Sequence, residues 1–519
     1  LRNPLHQRPA LRDALVWALP AIVAGLALRV VLGIYQPYGY WGSDSESYFS
    51  FAFRLLNEGA ISIPEKRRYI YPIVLLPITI LPGSPLKWLI LFQHATGLAT
   101  IVPLAYVVRK VLAGWRWWIV PVTLVYAGMP VFIWFEHELL GEAFFFATFT
   151  WAFAAWVAWA GRLERGDRAE AVWWIFLACL ALCVLTKPAG RFFWPGLMIG
   201  LVFVRSWRFL RWPQWTALGA LLVASWTMGQ GAQASRLLYT SAFPLTVLDS
   251  PLHADLKAEI AVQVTAARER LDYYYLEDRE PKRFLSSGYE KGDYPAWQAL
   301  KARGGDAIYD AMRDLALEAI LAHPHLFLYI ALQRTVAAMN WTEFDLDRFE
   351  PDYYPRKFRE QYDDLLSDNG KKAPMLRKLL GLPRDSAVPP YPEVVAILKP
   401  AGTEPQAQWM MNYVETVSEP GRFVRDPVEN GRPRKLWEMT PTLLGLWLIA
   451  GIVAAFFPRH LRHTLGTWLL VAIGYAIGVH LIGTFYARFF AAAWPPLLVA
   501  LLVPLDLIYR MIKRVVFRS

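Results

Sequence analysis

Asp44 and Glu46 stand in the stretch Tyr40-Trp41-Gly42-Ser43-Asp44-Ser45-Glu46-Ser47-Tyr48, directly after the first long apolar block of the chain. A carboxylate placed there has two readings. Asp44 is suited to cap a helix running from 45 to 57, a contribution of about 1 kcal/mol. Either acid is equally suited to work against the membrane surface as a general base or a metal ligand. A second acidic group, Glu136, His137, Glu138 and Glu142, leads a later apolar block, and the i,i+4 spacing puts Glu138 and Glu142 on one helical face. Glu142 falls one turn into that block. An ionisable side chain at such depth costs a few kcal/mol unless paired or hydrated, so it marks either an ion pair with an arginine of a neighbouring helix or a functional site.

Cations accompany these acids. Lys187 and Arg191 flank a break between two short apolar blocks, and Arg488 precedes the last one in Thr484-Phe485-Tyr486-Ala487-Arg488-Phe489-Phe490. Each is either a headgroup anchor that snorkels to the interface or a ligand for the phosphate of a lipid substrate, for which the planar arginine fork is well shaped. Tyr40, Trp41, Tyr48 and Tyr486 are rings that stack on sugars, although anchoring at the interface is the commoner job of such residues. Gln93, His94 and His480 lie inside apolar blocks, where a helix-packing hydrogen bond is the plain reading and a substrate contact the sharper one.

The elements that must position these groups are read from the apolar blocks. Of 519 residues 55% are hydrophobic and only 19% charged, below the share usual in soluble domains. Apolar runs long enough to cross a bilayer core of about 30 Å recur along the chain. They fall at 14–35, 86–108, 117–135, 139–160, 172–186, 192–204, 215–230, 443–457, 465–483 and 489–509. The segment 70–81, broken by prolines, is too short to span and is expected to lie in the interface. The first block reads as a true span rather than a cleaved leader, because no small-residue cleavage site follows it. Cys179 and Cys183, one turn apart on one helix, are placed for packing and not for a disulfide.

Charge sets the sidedness. Arg2, Arg8 and Arg12 lead the first block; Arg109, Lys110 and Arg116 follow the second, and Arg162, Arg165 and Arg168 the fourth. Arg205, Arg208 and Arg211, then Arg459 and Arg462, then Arg510, Lys513, Arg514 and Arg518 continue the alternation. By the positive-inside rule these clusters are cytoplasmic, as are both termini, and the net charge of +11 is accounted for by topology and anionic lipid rather than by nucleic acid. The Asp44 loop, the Glu136–Glu138 turn, the Lys187–Arg191 break and Arg488 then share the opposite face.

The expected fold is an all-α polytopic membrane protein of about ten transmembrane helices. It divides into an N-terminal membrane module (1–230), an extracytoplasmic domain of mixed or all-α structure (231–439), and C-terminal membrane helices (440–519). Within the middle unit 315–341 reads as an amphipathic helix, with a proline at 324, that lies on the membrane surface or enters it, the surface being preferred because an extra span would upset the charge alternation. The sequence has no phosphate-binding loop for ATP, no dinucleotide fingerprint and no zinc spacing. The absence of an obvious repeat argues against a transporter built from duplicated halves.

Taken together, the ensemble resembles the membrane-embedded glycosyltransferases of the GT-C class, in particular the polyprenyl-phosphate-sugar-dependent group with the aminoarabinose transferases and protein O-mannosyltransferases. The matching pieces are Gly42-Ser43-Asp44-Ser45-Glu46-Ser47-Tyr48, Arg68-Tyr69-Ile70-Tyr71-Pro72, Gly141-Glu142-Ala143-Phe144-Phe145, Leu185-Thr186-Lys187-Pro188, His323-Pro324, and Tyr486-Ala487-Arg488-Phe489-Phe490 with Pro495-Pro496. They occur in family order and on one face. The resemblance implies an inverting transfer of a sugar from a polyprenyl-phosphate donor to an acceptor hydroxyl on the extracytoplasmic face of the plasma (inner) membrane. It implies Asp44 as general base, with Glu46 the second choice or a metal ligand, since Ser45 separates acids that are often adjacent in the family. It assigns Glu142, with Glu138 beside it, to the second acidic position, and Lys187, Arg191 and Arg488 to the donor phosphate. Tyr40, Trp41, Tyr48, His94 and Tyr486 are the candidate sugar or acceptor contacts. A divalent cation on Asp44 and Glu46 is the one cofactor these residues would take. The expected partners are the donor lipid, a glycan, lipid or protein acceptor, and the bilayer. Two alternatives remain: an O-antigen ligase or polymerase working through Arg334 and His325, and a flippase or transporter of lipid-linked sugars.

Overall fold

The computed structural model describes residues 8–41, 45–59, 70–112, 115–167, 169–203, 210–227, 231–269, 271, 307–339, 346–367, 373–383, 385–418, 428–429, 432–433, 441–482 and 490–516. Its first half carries α1 (Arg8–Tyr35), α2 (Ser45–Glu58), α3 (Ile70–Ile80), α4 (Pro85–Val111), α5 (Ile119–Gly128), α6 (Pro130–His137), α7 (Glu142–Leu163), α8 (Glu170–Thr186), α9 (Phe193–Phe203) and α10 (Trp212–Thr227). Next come α11 (Gly231–Ala242), α12 (Ala254–Glu269), α13 (Ala307–Ala322), α14 (Pro324–Ala338), α15 (Tyr353–Ser367), α16 (Ala373–Leu380), α17 (Tyr391–Leu398) and α18 (Glu404–Ser418). A two-residue hairpin pairs Val428–Glu429 with Arg432–Pro433, and α19 (Leu443–Ala454), α20 (Thr467–Ile482) and α21 (Trp494–Val516) follow.

Among the described residues each block expected to span is mostly helical. Among the described residues five helices are long and apolar enough to cross a membrane, or seven if two bent pairs each count as one span. One pair is α5 and α6, whose axes turn by 47° at Met129-Pro130. Proline at the first position of α6 supplies no amide to the preceding helix, so the chain turns there. The expectation of about ten spans therefore leans on α8, α9, α10 and α19 as well, which at 17, 11, 16 and 12 residues are short for a bilayer.

The bundle is built on α4 and α7. α1 packs on α4 and α5, α7 sits between α4 and α8, and α9 lies along α20. That last contact is close: a Cβ on Gly196 of α9 would stand 2.3 Å from the carbonyl oxygen of Leu470. Small residues that let backbones approach are what holds helices together where lipid removes the hydrophobic drive. The described members of the basic clusters gather at one end. There Arg109 pairs with Asp13 at 2.9 Å, Arg211 with Glu170 at 2.9 Å, and Arg510 reaches His460 at 3.3 Å and the carbonyl of Val111 at 3.4 Å.

One expectation changes. The described part of 315–341 belongs to two helices, α13 and α14, bent by 102° at His323-Pro324, and α14 packs along α20. Pro324 starts the second helix, where its ring is tolerated, and cannot continue the first. The stretch 231–439 also packs in two parts. Tyr239, Leu256, Ile260, Val264, Met312 and Leu315 form a small core of their own, whereas Phe349, Tyr354, Leu376, Val394 and Met410 join the main core of the N-terminal helices.

Candidate active site

The first loop is pinned at the end of the bundle away from the basic clusters. Tyr40 donates its amide to the carbonyl of His137 at 2.8 Å and accepts from the amide of Leu139 at 2.9 Å, a one-residue bridge opposite Glu138. Ser45, at the start of α2, donates its hydroxyl to the carbonyl of Leu139 at 3.0 Å. Both ends of the segment that carries Asp44 are thus fastened to the turn 137–139, while Asp44 itself lies outside the described residues. Helix α2 begins at Ser45, where the sequence places a helix start, and Glu46 is half-buried in its first turn.

The turn rests on α4. Gln93 donates its amide to the carbonyls of Glu136 and Glu138 at 2.9 and 2.8 Å, and its oxygen accepts the hydroxyl of Tyr71 at 2.6 Å. Below, Arg29 of α1 grips Glu136 with two bonds of 2.5 and 2.6 Å and bonds the carbonyls of Gly25 and Ala127. His94 Nδ1 donates to the same carboxylate at 2.9 Å, which leaves its Nε2 to accept from His137 Nδ1 at 3.4 Å. Gly97 makes the room: a Cβ there would meet Glu136 Oε1 at 1.9 Å. An ion pair this deep is tolerated because both charges are fully hydrogen-bonded.

Glu138 and Glu142 do not share a helical face. Glu138 is extended, since its backbone is occupied by the bridge to Tyr40, and α7 starts only at Glu142. Each acid meets its own cation. Glu142 is ion-paired with Lys187 from the end of α8, a lysine where the sequence pointed to an arginine. Glu138 accepts from the Trp134 indole at 3.2 Å and lies 3.9 Å from Arg348. Arg348 also stands over the Trp134 ring at 5.8 Å, and Tyr353 and Tyr354 pack on Tyr40 at 5.7 and 5.3 Å. Burial, then Tyr353 and the carboxylate of Glu138, push the Tyr40 phenol above its ordinary pKa, so it stays neutral at physiological pH.

The aromatic candidates divide. Tyr40 faces this cluster; Tyr48 meets Tyr71 edge-on at 5.2 Å and Trp41 meets Phe49 at 5.6 Å, so both serve the packing of the loop. Arg191 does not join Lys187. It lies over the rings of Phe192 and Trp226 at 5.3 and 5.5 Å, turned toward α10. His94 belongs to the Glu136 network beneath. Tyr486 and Arg488 lie outside the described residues, as does Arg68-Tyr69. Among the described residues no three His, Cys, Asp or Glu side chains gather as a metal site.

No protein-family model matches the chain, and neither does any curated protein. Solved structures do. One is an oligosaccharyltransferase from Archaeoglobus fulgidus tethered to an acceptor peptide, at 14% identity and a TM-score of 0.38, covering 96% of this chain and 50% of that one. Another is archaeal oligosaccharyltransferase AglB from the same organism with an inhibitory peptide and a dolichol-phosphate, at 13% identity and a TM-score of 0.39, covering 97% and 52%. This chain spans about half the length of the structures it matches.

Sequence reasoning passed over Arg29, Trp134 and Arg348. Arg29 had a signal, a lone cation in the middle of the first apolar block, which by itself calls for a buried acid. Trp134 and Arg348 had none, because nothing local tells which ring or cation a distant acid will meet.

Proposed function

We propose that this chain is a GT-C type membrane glycosyltransferase that moves a sugar from a polyprenyl-phosphate donor to an acceptor hydroxyl, with inversion, on the extracytoplasmic face of the plasma (inner) membrane. The observation that carries the reading is the convergence, at one end of the bundle, of the anchored first loop, the acids Glu138 and Glu142, and the cation Lys187. In this reading Asp44 is the general base, with Glu46 the second candidate. The base takes the acceptor proton as the new oxygen–carbon bond forms, a step worth about 10²–10⁴ in rate. The bond from the sugar carbon to the phosphate oxygen breaks in the same event, and its electron pair leaves with the lipid phosphate.

Lys187 is the cation of choice for that phosphate, and Glu142 tunes it. A phosphate arriving there would share or displace Glu142, so the pair holds the ammonium in place before the donor binds and releases it to the leaving group as charge builds. Arg191 and Arg488 are the further candidates for the lipid phosphate, and Tyr40 is the candidate to offer a ring to a sugar. The test is Asp44→Asn in proteoliposomes with a polyprenyl-phosphate sugar and acceptor extracts. The variant should fold and bind donor lipid yet lose transfer; unchanged transfer removes Asp44 as base. Translocation of the lipid without a new glycosidic bond, in the unaltered protein, would overturn the enzyme reading.

A further inference from the structure

At the basic end α4, α7 and the helical turn ahead of α20 enclose a cleft of about 260 Å³ lined by Tyr106, Lys110, Gly161, Glu164, Arg165 and His460. It lies far from the candidate active site: Glu142 and Gly161 are on one helix, about 28 Å apart at 1.5 Å per residue. The cleft is over-supplied with cations. Lys110 is half-buried in the field of Arg165, Arg109 and Arg162. Of the nearby acids, Asp13 is taken by Arg109 at 2.9 Å and Glu164 meets His463 at 3.2 Å. Among the described residues Lys110 and Arg165 make no ion pair. Lys110 instead stands 5.7 Å from the Tyr106 ring.

The remaining walls suit an anion as well. His460 accepts at Nε2 from Arg510 at 3.3 Å, so its Nδ1 carries the hydrogen. Burial and then Arg510 lower its pKa, leaving a neutral donor. The side of the cleft at Gly161 is open, since a Cβ there meets nothing within 4 Å. Unmatched like charges held together repel; a phosphate between an ammonium and a guanidinium turns that repulsion into charge-assisted hydrogen bonds.

We infer that this cleft, between Lys110, Arg165, Tyr106 and His460, is a second and non-catalytic binding site for a phosphate group, carried on an anionic lipid headgroup or free in solution. The inference does not depend on the transferase reading.

The experiment uses the full chain, delipidated in detergent, with dioleoylphosphatidylglycerol, dioleoylphosphatidylcholine and inorganic phosphate as probes, and counts bound lipid by native mass spectrometry. Phosphatidylglycerol should bind in preference to phosphatidylcholine, and Lys110→Gln or Arg165→Gln should each weaken it about tenfold, as loss of one charge-assisted contact does. Gly161→Leu keeps every charge, enters open space and fills the cleft, so it should abolish retention in a protein that elutes as the unaltered one does. Competition by inorganic phosphate identifies a site for the free ion; resistance to it identifies a headgroup site. Equal phosphatidylglycerol retention in the unaltered protein and Gly161→Leu overturns the inference and leaves these cations as topology determinants alone.

Discussion

Gly97→Ala is the sharpest test of the buried network beneath the turn 137–139. The added methyl would lie 1.9 Å from Glu136 Oε1, 2.3 Å from its Cδ and 2.9 Å from Oε2. The carboxylate would have to retreat by about 1.5 Å to restore ordinary contact. It is not free to do so, because Arg29 holds it with bonds of 2.5 and 2.6 Å and His94 with one of 2.9 Å. Overpacking alone costs about 1–3 kcal/mol, and breaking a buried ion pair about 3–5 kcal/mol. An expected loss of about 3 kcal/mol follows, since some of the pairing survives a shifted geometry. The comparison is made in a second background, Arg29→Met with Glu136→Ala, which removes both charges together. There the same methyl enters vacated space and should cost less than about 1 kcal/mol. The readout is the loss of folded protein with time at fixed temperature in one detergent, by size exclusion. Equal sensitivity in both backgrounds would show that the carboxylate does not occupy the space above Gly97, and the account of the network would fall with it.

Lys187→Met alone should destabilise by about 3–5 kcal/mol by removing the cation ion-paired with buried Glu142, while Lys187→Met with Glu142→Gln should recover most of that; transfer assays on the stable double variant then decide whether the pair acts on substrate, because a structural pair would leave activity intact. Gly196→Ala should disrupt the α9–α20 contact, since its methyl meets backbone at 2.3 Å that cannot rotate away, whereas Gly219→Ala, with nothing within 4 Å, should match the parent in the same thermal assay. Arg348→Ala should slow transfer if that cation orders the site end; a parental rate would make it a packing contact of Glu138 and the Trp134 ring alone.

Much of the architecture is legible in the residues. Apolar runs with basic flanks predicted helices that the structure holds at nearly the same bounds, as in 86–108 against Pro85–Val111 and 443–457 against Leu443–Ala454. Helix α2 starts at Ser45, one residue past the acid proposed as its cap. What local pattern misjudged were breaks. The i,i+4 rule assumed a continuous helix through 138–142, but a backbone bridge to Tyr40 holds Glu138 extended. A single helix over 315–341 is not what forms, because Pro324 turns the chain by 102°.

By itself the sequence determined that the chain lives in a membrane, which ends of its helices carry the basic clusters, and which loops hold ionisable groups. Those follow from hydropathy and charge, properties each segment has on its own. Only the tertiary structure decided which acid meets which cation: Glu136 with Arg29, Glu142 with Lys187, Glu138 beside Arg348. Partner choice depends on helix rotation and register, and those are set by whole-bundle packing, down to one glycine on α4 that leaves a carboxylate its space.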